Sequence, residues 1–359
     1  LNHIQECMMP KNIIVCTDGT WNHPAATDLA SQDFTPSDTN VYKLFALLAG
    51  EAQTRSPTTR VKQVAGQVAF YDDGVGADGI WAVRVAEGAT GAGLELKLRD
   101  CYQFISEQYE TGDRLYLFGF SRGAFTARSL GGMLTRCGVP ARTSQNDIFA
   151  SHAFDVYRRN NPAVTAQYRT DYQCQDVTIE VIGVWDTVGA LGIPLGLFNP
   201  LDHLLFKFYD TALHPNVRFG YHALAIDEKR ESFGPTLWDM REGIEQVWFA
   251  GVHADIGGGY NETGLADLAL AWMLKKVQPH GMLFGDRAFR EIGVPNISGD
   301  PLMVPMHDSY KPPFVTARPA VRVIPPSAAM HVSVQQRWDK AHPSYRPGNL
   351  PAEPRSYVE

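Results

Sequence analysis

Short runs of continuous apolar residues alternate along this chain with stretches whose apolar positions recur every three or four residues. Lys11 to Cys16 (KNIIVC) is an apolar, β-branched run ending in Thr17-Asp18-Gly19-Thr20, which predicts a strand and a turn. Asn40 to Leu48 has helical spacing with Asn40 as its cap. After the polar, Thr-rich residues 51–60, Val64 to Tyr71 reads as a second strand. Leu94 to Tyr109 predicts a helix, and Arg114 to Phe120 (RLYLFGF) is nearly all apolar, as a strand buried on both faces is. A helix over Ser121 to Leu134, a polar stretch from Ala141 to Gln175, a buried strand over Val177 to Trp185, a strand over Gln246 to Val252 and a helix over Leu265 to Val277 follow.

Strands that alternate with helices predict an α/β fold, a mainly parallel sheet with helices on both faces. Beyond Pro279 the periodicity decays, and prolines recur from Pro295 to Pro354. Proline cannot serve a central ladder, so this part is expected to wrap the sheet as loops and edge strands. The expected organisation is one domain over residues 9–359, with a cap-containing insertion at 187–245 and an irregular C-terminal extension at 280–359. Residues 1–8 are expected outside the folded unit, because Met9-Pro10 stands directly before the first strand.

Composition narrows the function. The 32 basic and 39 acidic side chains leave a formal charge of −7, which argues against nucleic acid as a partner. The five cysteines (Cys7, Cys16, Cys101, Cys137, Cys174) are odd in number and form no Cys-x-x-Cys pair, so reduced thiols are expected and no zinc site. No apolar run approaches the roughly 20 residues of a membrane-spanning helix. The first residues also lack the charged start and apolar stretch of a secretory signal. Synthesis in the cytoplasm is the expectation, with any export by a signal-independent route. Oligomeric state is not legible.

The strongest chemical signal is Gly119-Phe120-Ser121-Arg122-Gly123, a G-x-S-x-G between an apolar strand and a helix rich in small residues. That context is the nucleophile elbow of an α/β-hydrolase; the plain alternative is a Ser121 that only caps the helix. A serine hydroxyl is a weak nucleophile until an imidazole takes its proton, and a carboxylate must orient the imidazole. In this fold the order along the chain is Ser, acid, His, each at the carboxyl end of a strand. Asp186, directly after VIGVW, fits the acid, and His253, directly after QVWFAGV, fits the base. A turn-forming aspartate and a satisfied core histidine are the alternatives. A rival arrangement makes Asp255 the acid, with His307 or His331 as base.

An oxyanion needs two donors. The Arg122 N–H follows the nucleophile, and the loop after the first strand would offer Gly19 or Thr20 N–H. Leu191 to Phe208 (LGIPLGLFNPLDHLLFKF) is dense in apolar residues yet broken by Pro194 and Pro200. It reads as a cap with an apolar groove for an acyl chain, lined by Leu191, Leu195, Leu197 and Phe198; an interfacial surface that meets a membrane is the other reading. Two weaker patterns are weighed against these. Gly88-Ala89-Thr90-Gly91-Ala92-Gly93 is no G-x-G-x-x-G, so helix packing is favoured over a dinucleotide loop. Asp18, Asp72, Asp73 and Asp255 stand at strand ends without ligand spacing, so no metal is assigned.

With these residues assembled, the chain resembles the α/β-hydrolase phospholipase effectors of type VI secretion and the bacterial and fungal proteins that share their catalytic domain. The matching stretches are DGTWN from Asp18, YDDGVG from Tyr71, GFSRGAFTAR from Gly119, GVWDTVGALG from Gly183, HALAIDEKR from His222 and QVWFAGVHADIGGGY from Gln246. HVSVQQRW from His331 and YRPGNLP from Tyr345 look similar too. The resemblance implies Ser121, Asp186 and His253 as the triad, in agreement with strand order. It implies a serine ester hydrolase of lipase or phospholipase type, with an ester or phospholipid as substrate and no cofactor. The rival from another class is a non-catalytic α/β-hydrolase-fold protein that captures a lipid or partner; a dehydrogenase using the Gly88 loop is a further one.

Overall fold

Residues described in the computed structural model are 10–19, 35–73, 92–146, 148–188, 213–286, 304–311, 319–340, 345–352 and 355–359. The first strand, β1 (Asn12–Thr17), is buried along its whole length. Its side chains alternate between two cores, as strand geometry requires. Ile13 and Val15 join one apolar cluster, and Ile14 and Cys16 join another on the opposite face.

Next come α1 (Asn40–Leu47), β2 (Ala52–Ser56), β3 (Thr59–Val64), β4 (Gln67–Asp72), α2 (Ala92–Gln108), β5 (Arg114–Phe120), α3 (Arg122–Cys137), α4 (Phe149–Arg159), α5 (Pro162–Asp171) and β6 (Ile179–Trp185). After them stand β7 (Val217–Ala225), β8 (Ile244–Phe249), α6 (His253–Gly257), α7 (Gly264–Val277), β9 (Ala329–His331), α8 (Val332–Lys340) and β10 (Ser356–Val358). The strands form one sheet in the order β10-β9-β8-β7-β6-β5-β1-β4-β3-β2. All neighbours are parallel except at one end, where β2, β3 and β4 run antiparallel. One face packs on α2 to α5 and the other on α1 and α7, each through buried aliphatic and aromatic side chains worth about 1.5–3 kcal/mol apiece. This is the mainly parallel, two-faced sheet of an α/β-hydrolase-like fold.

Several elements differ from the sequence expectation. Residues 51–60, read as polar and Thr-rich, contain β2 and begin β3; β2 is the edge strand and its side chains are largely exposed, so no apolar run announces it. The polar stretch 141–175 holds α4 and α5, and Asn161 caps α5 through its side chain with Pro162 in the first turn. At α1 the cap is Thr39, which accepts from the Tyr42 amide at 3.2 Å. Asn40 instead donates to the Ile256 and Ala266 carbonyls, both at 2.8 Å, and ties α1 to α6 and α7. Within the C-terminal part, β9 and β10 extend the sheet beyond β8. Cys16, Cys101, Cys137 and Cys174 are free thiols. No described helix is long and apolar enough to cross a membrane.

Candidate active site

β5 ends at Phe120, and the chain turns sharply through Ser121 into α3. Ser121 has φ 57° and ψ −120°, the first central position of a type II′ turn and a costly conformation for a residue with a Cβ. Its amide donates to the Trp185 carbonyl at 3.1 Å, and close backbone contact holds the rest. A Cβ on Gly119 would lie 2.4 Å from the Gly123 carbonyl oxygen, and one on Gly123 would lie 2.1 Å from the Thr17 oxygen. The two glycines of the motif are therefore spaces into which backbone packs, and α3 starts hard against the end of β1. Gly123→Ala is expected to cost about 1–3 kcal/mol of stability, read from the urea midpoint. An unchanged midpoint would refute the contact.

β6, β7 and β8 lie in succession beside β5, so their carboxyl ends open onto the same edge as Ser121. His253 begins α6 just after β8, and its Nε2 is 2.8 Å from Ser121 Oγ. Its Nδ1 is 2.6 Å from Oδ2 of Asp186, which directly follows β6. A carboxylate only accepts, so Nδ1 carries the proton and Nε2 accepts from the serine hydroxyl. Asp186 also has positive φ, 40°, a region aspartate tolerates better than most residues. The imidazole packs against two rings, Phe120 at 4.6 Å and Phe233, edge-on, at 4.9 Å between centroids. Burial holds it below the usual histidine range, against the pull of Asp186.

Three neighbours of this chain of hydrogen bonds were not singled out from sequence. Arg322 grips Asp186 with both terminal nitrogens, Nη1 to Oδ1 at 2.6 Å and Nη2 to Oδ2 at 2.9 Å. Burial pushes the Asp186 carboxyl up, yet Arg322 and then His253 hold it well below the ordinary carboxylate range. Glu228 accepts the His253 amide at 3.2 Å and pairs with Arg230, whose charge and hydrogen bonds outweigh burial and bring that carboxyl down to about 2. His222, in β7, accepts the Thr187 amide at 3.1 Å and so fixes the residue after Asp186. Burial, with Arg128 nearby, lowers its imidazole to about 3. His222 and Glu228 stand in the stretch HALAIDEKR; Arg322 had no comparable signal.

The other candidates separate cleanly. Asp255 and His307 do pair, Nδ1 to Oδ1 at 2.6 Å, but the imidazole that reaches Ser121 is that of His253. Asp255 also accepts the Val252 amide at 3.0 Å and so braces the turn that presents His253. His331 bonds Ser333 and stacks on Phe249 at 4.6 Å. Arg122 is the first residue of α3 and directly follows Ser121. The Gly19 amide donates to Asp18 Oδ1 at 2.7 Å, so in this structure it is committed to a side chain. Asp18 also accepts from Thr39 at 2.5 Å and Tyr71 at 2.7 Å, and burial raises its carboxyl to about 7. Asp72 pairs with Lys97 and Asp73 with Arg60, so the acidic set weighed as a cation site is divided among separate partners. Thr20, the Gly88 loop and the cap residues Leu191, Leu195, Leu197 and Phe198 lie outside the described residues.

An α/β-hydrolase-like sheet with a serine, a histidine and an aspartate hydrogen-bonded in series at its carboxyl edge defines the class of protein. The chain belongs to the family of type VI secretion (T6SS) phospholipase effector Tle1-like catalytic domains, matched over residues 11–276. An uncharacterized protein of Saccharomyces cerevisiae is 26% identical over 248 residues, covering 62% of this chain and 32% of the relative. Among solved structures, an uncharacterized protein from Pseudomonas aeruginosa has a TM-score of 0.44 at 18% identity, over 80% of this chain and 49% of that one. The Tle1 effector bound to the VgrG spike gives 0.40 at 19% identity, over 70% and 52%. The carboxylesterase Cest-2923 from Lactobacillus plantarum gives 0.35 at 13% identity, over 80% and 91%. The chain thus spans about a third of the yeast relative and about half of the first two structures.

Proposed function

We propose that this chain is a serine hydrolase that cleaves carboxylic esters of lipids, phospholipids among them, through an acyl-enzyme. The observation that carries the reading is the unbroken series Ser121 Oγ, His253 Nε2, His253 Nδ1, Asp186 Oδ2, with links of 2.8 and 2.6 Å. Ser121 attacks the ester carbonyl while His253 takes its proton; the carbonyl collapses, and His253 returns the proton to the departing alkoxide. Water then repeats the sequence in reverse roles and releases the acid. Asp186 holds the imidazole in the tautomer that leaves Nε2 available, and stabilises the imidazolium. The Arg122 amide is one proposed oxyanion donor. With the Gly19 amide bound to Asp18, the Thr20 amide is the proposed second. Neither step calls for a cofactor.

The lipid part of the reading rests on the family description and on the apolar run 191–208. Each buried methylene contributes about 0.8 kcal/mol, so two added acyl carbons should raise kcat/KM by roughly tenfold until the groove is full. Replacing Leu195, Leu197 and Phe198 together by serine is expected to flatten that profile and leave acetate-ester turnover nearly unchanged. Equal loss on short and long esters would assign the segment to the core. Contact with a membrane surface belongs to the same proposal. The test of the function as a whole is turnover of p-nitrophenyl acyl esters and of phospholipids, with products identified by mass. A folded protein that releases no acid from any of them would support the binding-protein alternative instead.

A further inference from the structure

Residues from the C-terminal part, beyond the 11–276 covered by the family match, reach back to the carboxyl ends of β7 and β8. Ser309 donates to Glu228 at 2.9 Å, His307 pairs with Asp255 at 2.6 Å, and Tyr345 donates to Asp227 at 2.8 Å. Arg322 goes deepest. Its neighbours Val321 and Val323 are 69% and 87% exposed while Arg322 is 6% exposed, so an extended segment turns its cation inward and its valines outward. Nη1 also donates to the Ala225 carbonyl and Nη2 to the Phe233 carbonyl, both at 2.7 Å. The segment itself is fastened by the Ala320 amide on the Lys229 carbonyl at 2.8 Å and by Asn349 on the Arg322 carbonyl at 3.2 Å.

A buried ion pair is by itself a poor source of stability, since desolvating both charges offsets their attraction. Its consequence here lies with a third group. Asp186 Oδ2 receives both Arg322 Nη2 and His253 Nδ1, so the guanidinium and the imidazole share one oxygen. We propose that Arg322 is a positioning residue of the hydrolytic reaction, which offsets the Asp186 charge and keeps His253 uncharged and available as base.

Among the described residues, few other charged groups surround the pair. Glu228 and Arg230 face His253 from the segment after β7, and bind each other. His222 faces Asp186 from β7, with Arg128 of α3 beside it, and is itself held neutral by burial. Ser121 is neutral, and the Phe120 and Phe233 rings pack against the buried imidazole. Among the described residues, Arg322 is thus the Lys or Arg side chain in direct contact with the carboxylate that orients the base. Without it, an uncompensated Asp186 would bind a proton jointly with His253 more tightly, wherever on the pair that proton rests. A base must be unprotonated to act, so the acid limb of kcat/KM would move to higher pH.

This inference rests on the triad reading of Ser121, His253 and Asp186, and the experiment separates the two. Full-length wild type, Arg322→Gln and Arg322→Lys are assayed on a soluble p-nitrophenyl ester across pH, with fluorophosphonate labelling of the wild type alongside. Arg322→Gln is expected to shift the acid limb up by about one pH unit, a further tenfold loss of activity at a pH one unit below the wild-type limb. Arg322→Lys keeps the charge and is expected to keep the limb while losing part of kcat. Equal loss at every pH in Arg322→Gln, with the limb unmoved, overturns the proposal and leaves a structural role. Should Arg322→Gln not fold, the imidazole of His253 is titrated by NMR in full-length Ser121→Ala and in Ser121→Ala/Arg322→Met. A midpoint about one pH unit higher in the double variant is expected, and an unchanged one overturns the proposal. Failure of the wild type to turn over ester or accept the label counts against the triad reading alone, because the NMR titration reads Arg322 without catalysis.

Discussion

Replacing Ser121 by alanine is expected to lower kcat for ester hydrolysis by about 10⁴ to 10⁶ while leaving the fold intact. The size follows from the way such residues act as a unit: without the nucleophile, His253 and Asp186 have nothing to activate, and only binding and the oxyanion donors remain. The fold is spared because the hydroxyl bonds His253 Nε2 alone among the described residues, whereas the turn is held by the Ser121 amide and by the glycine contacts. Alanine accepts the unusual φ and ψ no worse than serine does. Circular dichroism and the urea midpoint check the fold, and initial rates on a p-nitrophenyl ester check the chemistry. A variant that keeps a tenth of the wild-type rate would rule out a Ser121 mechanism.

Which of these features the sequence displayed depended on how each residue's local neighbours related to its tertiary role. Arg114 to Phe120 is a strand over the predicted limits, because a doubly buried strand is apolar at every position and needs no period to be seen. Asp186 and His253 were legible for a related reason: a polar residue directly after such a run marks a strand end. The helix-start pair Asn161-Pro162 was in plain view within a stretch read as polar, whereas β2, at the sheet edge, had no apolar face to show. Arg322 was hidden by an inverted pattern. In Val321-Arg322-Val323 the apolar residues face solvent and the cation faces inward, the opposite of what burial preferences lead one to expect. Only the position of Asp186 in three dimensions explains it. The Gly19 amide was a similar case, since nothing local signals that the Asp18 carboxylate takes it.

The second large effect is expected at the other two members of the series, where the outcomes differ in kind. His253→Ala should cost about as much as Ser121→Ala, since no other imidazole lies within bonding distance of Ser121 among the described residues. Asp186→Asn should lower kcat by about 10⁴, because an amide cannot hold both the Nδ1–H tautomer and the guanidinium. It should also destabilise the protein by about 3–5 kcal/mol, since Arg322 is left buried without its carboxylate. His307→Ala, which removes the partner of Asp255, should stay within about tenfold of wild type. Rates paired with urea midpoints distinguish these cases. If His307→Ala proved as damaging as His253→Ala, the base would have been assigned to the wrong strand.

The most direct test is covalent capture of the nucleophile. The full-length protein is treated with a fluorophosphonate, the intact mass is measured, and the modified peptide is sequenced by fragmentation. One adduct on Ser121 is predicted, formed in the wild type and absent from Ser121→Ala. It should form far more slowly in His253→Ala, where no base takes the hydroxyl proton. No adduct on the folded wild type, or an adduct on another residue that persists in Ser121→Ala, would contradict the assignment of Ser121 as the attacking group.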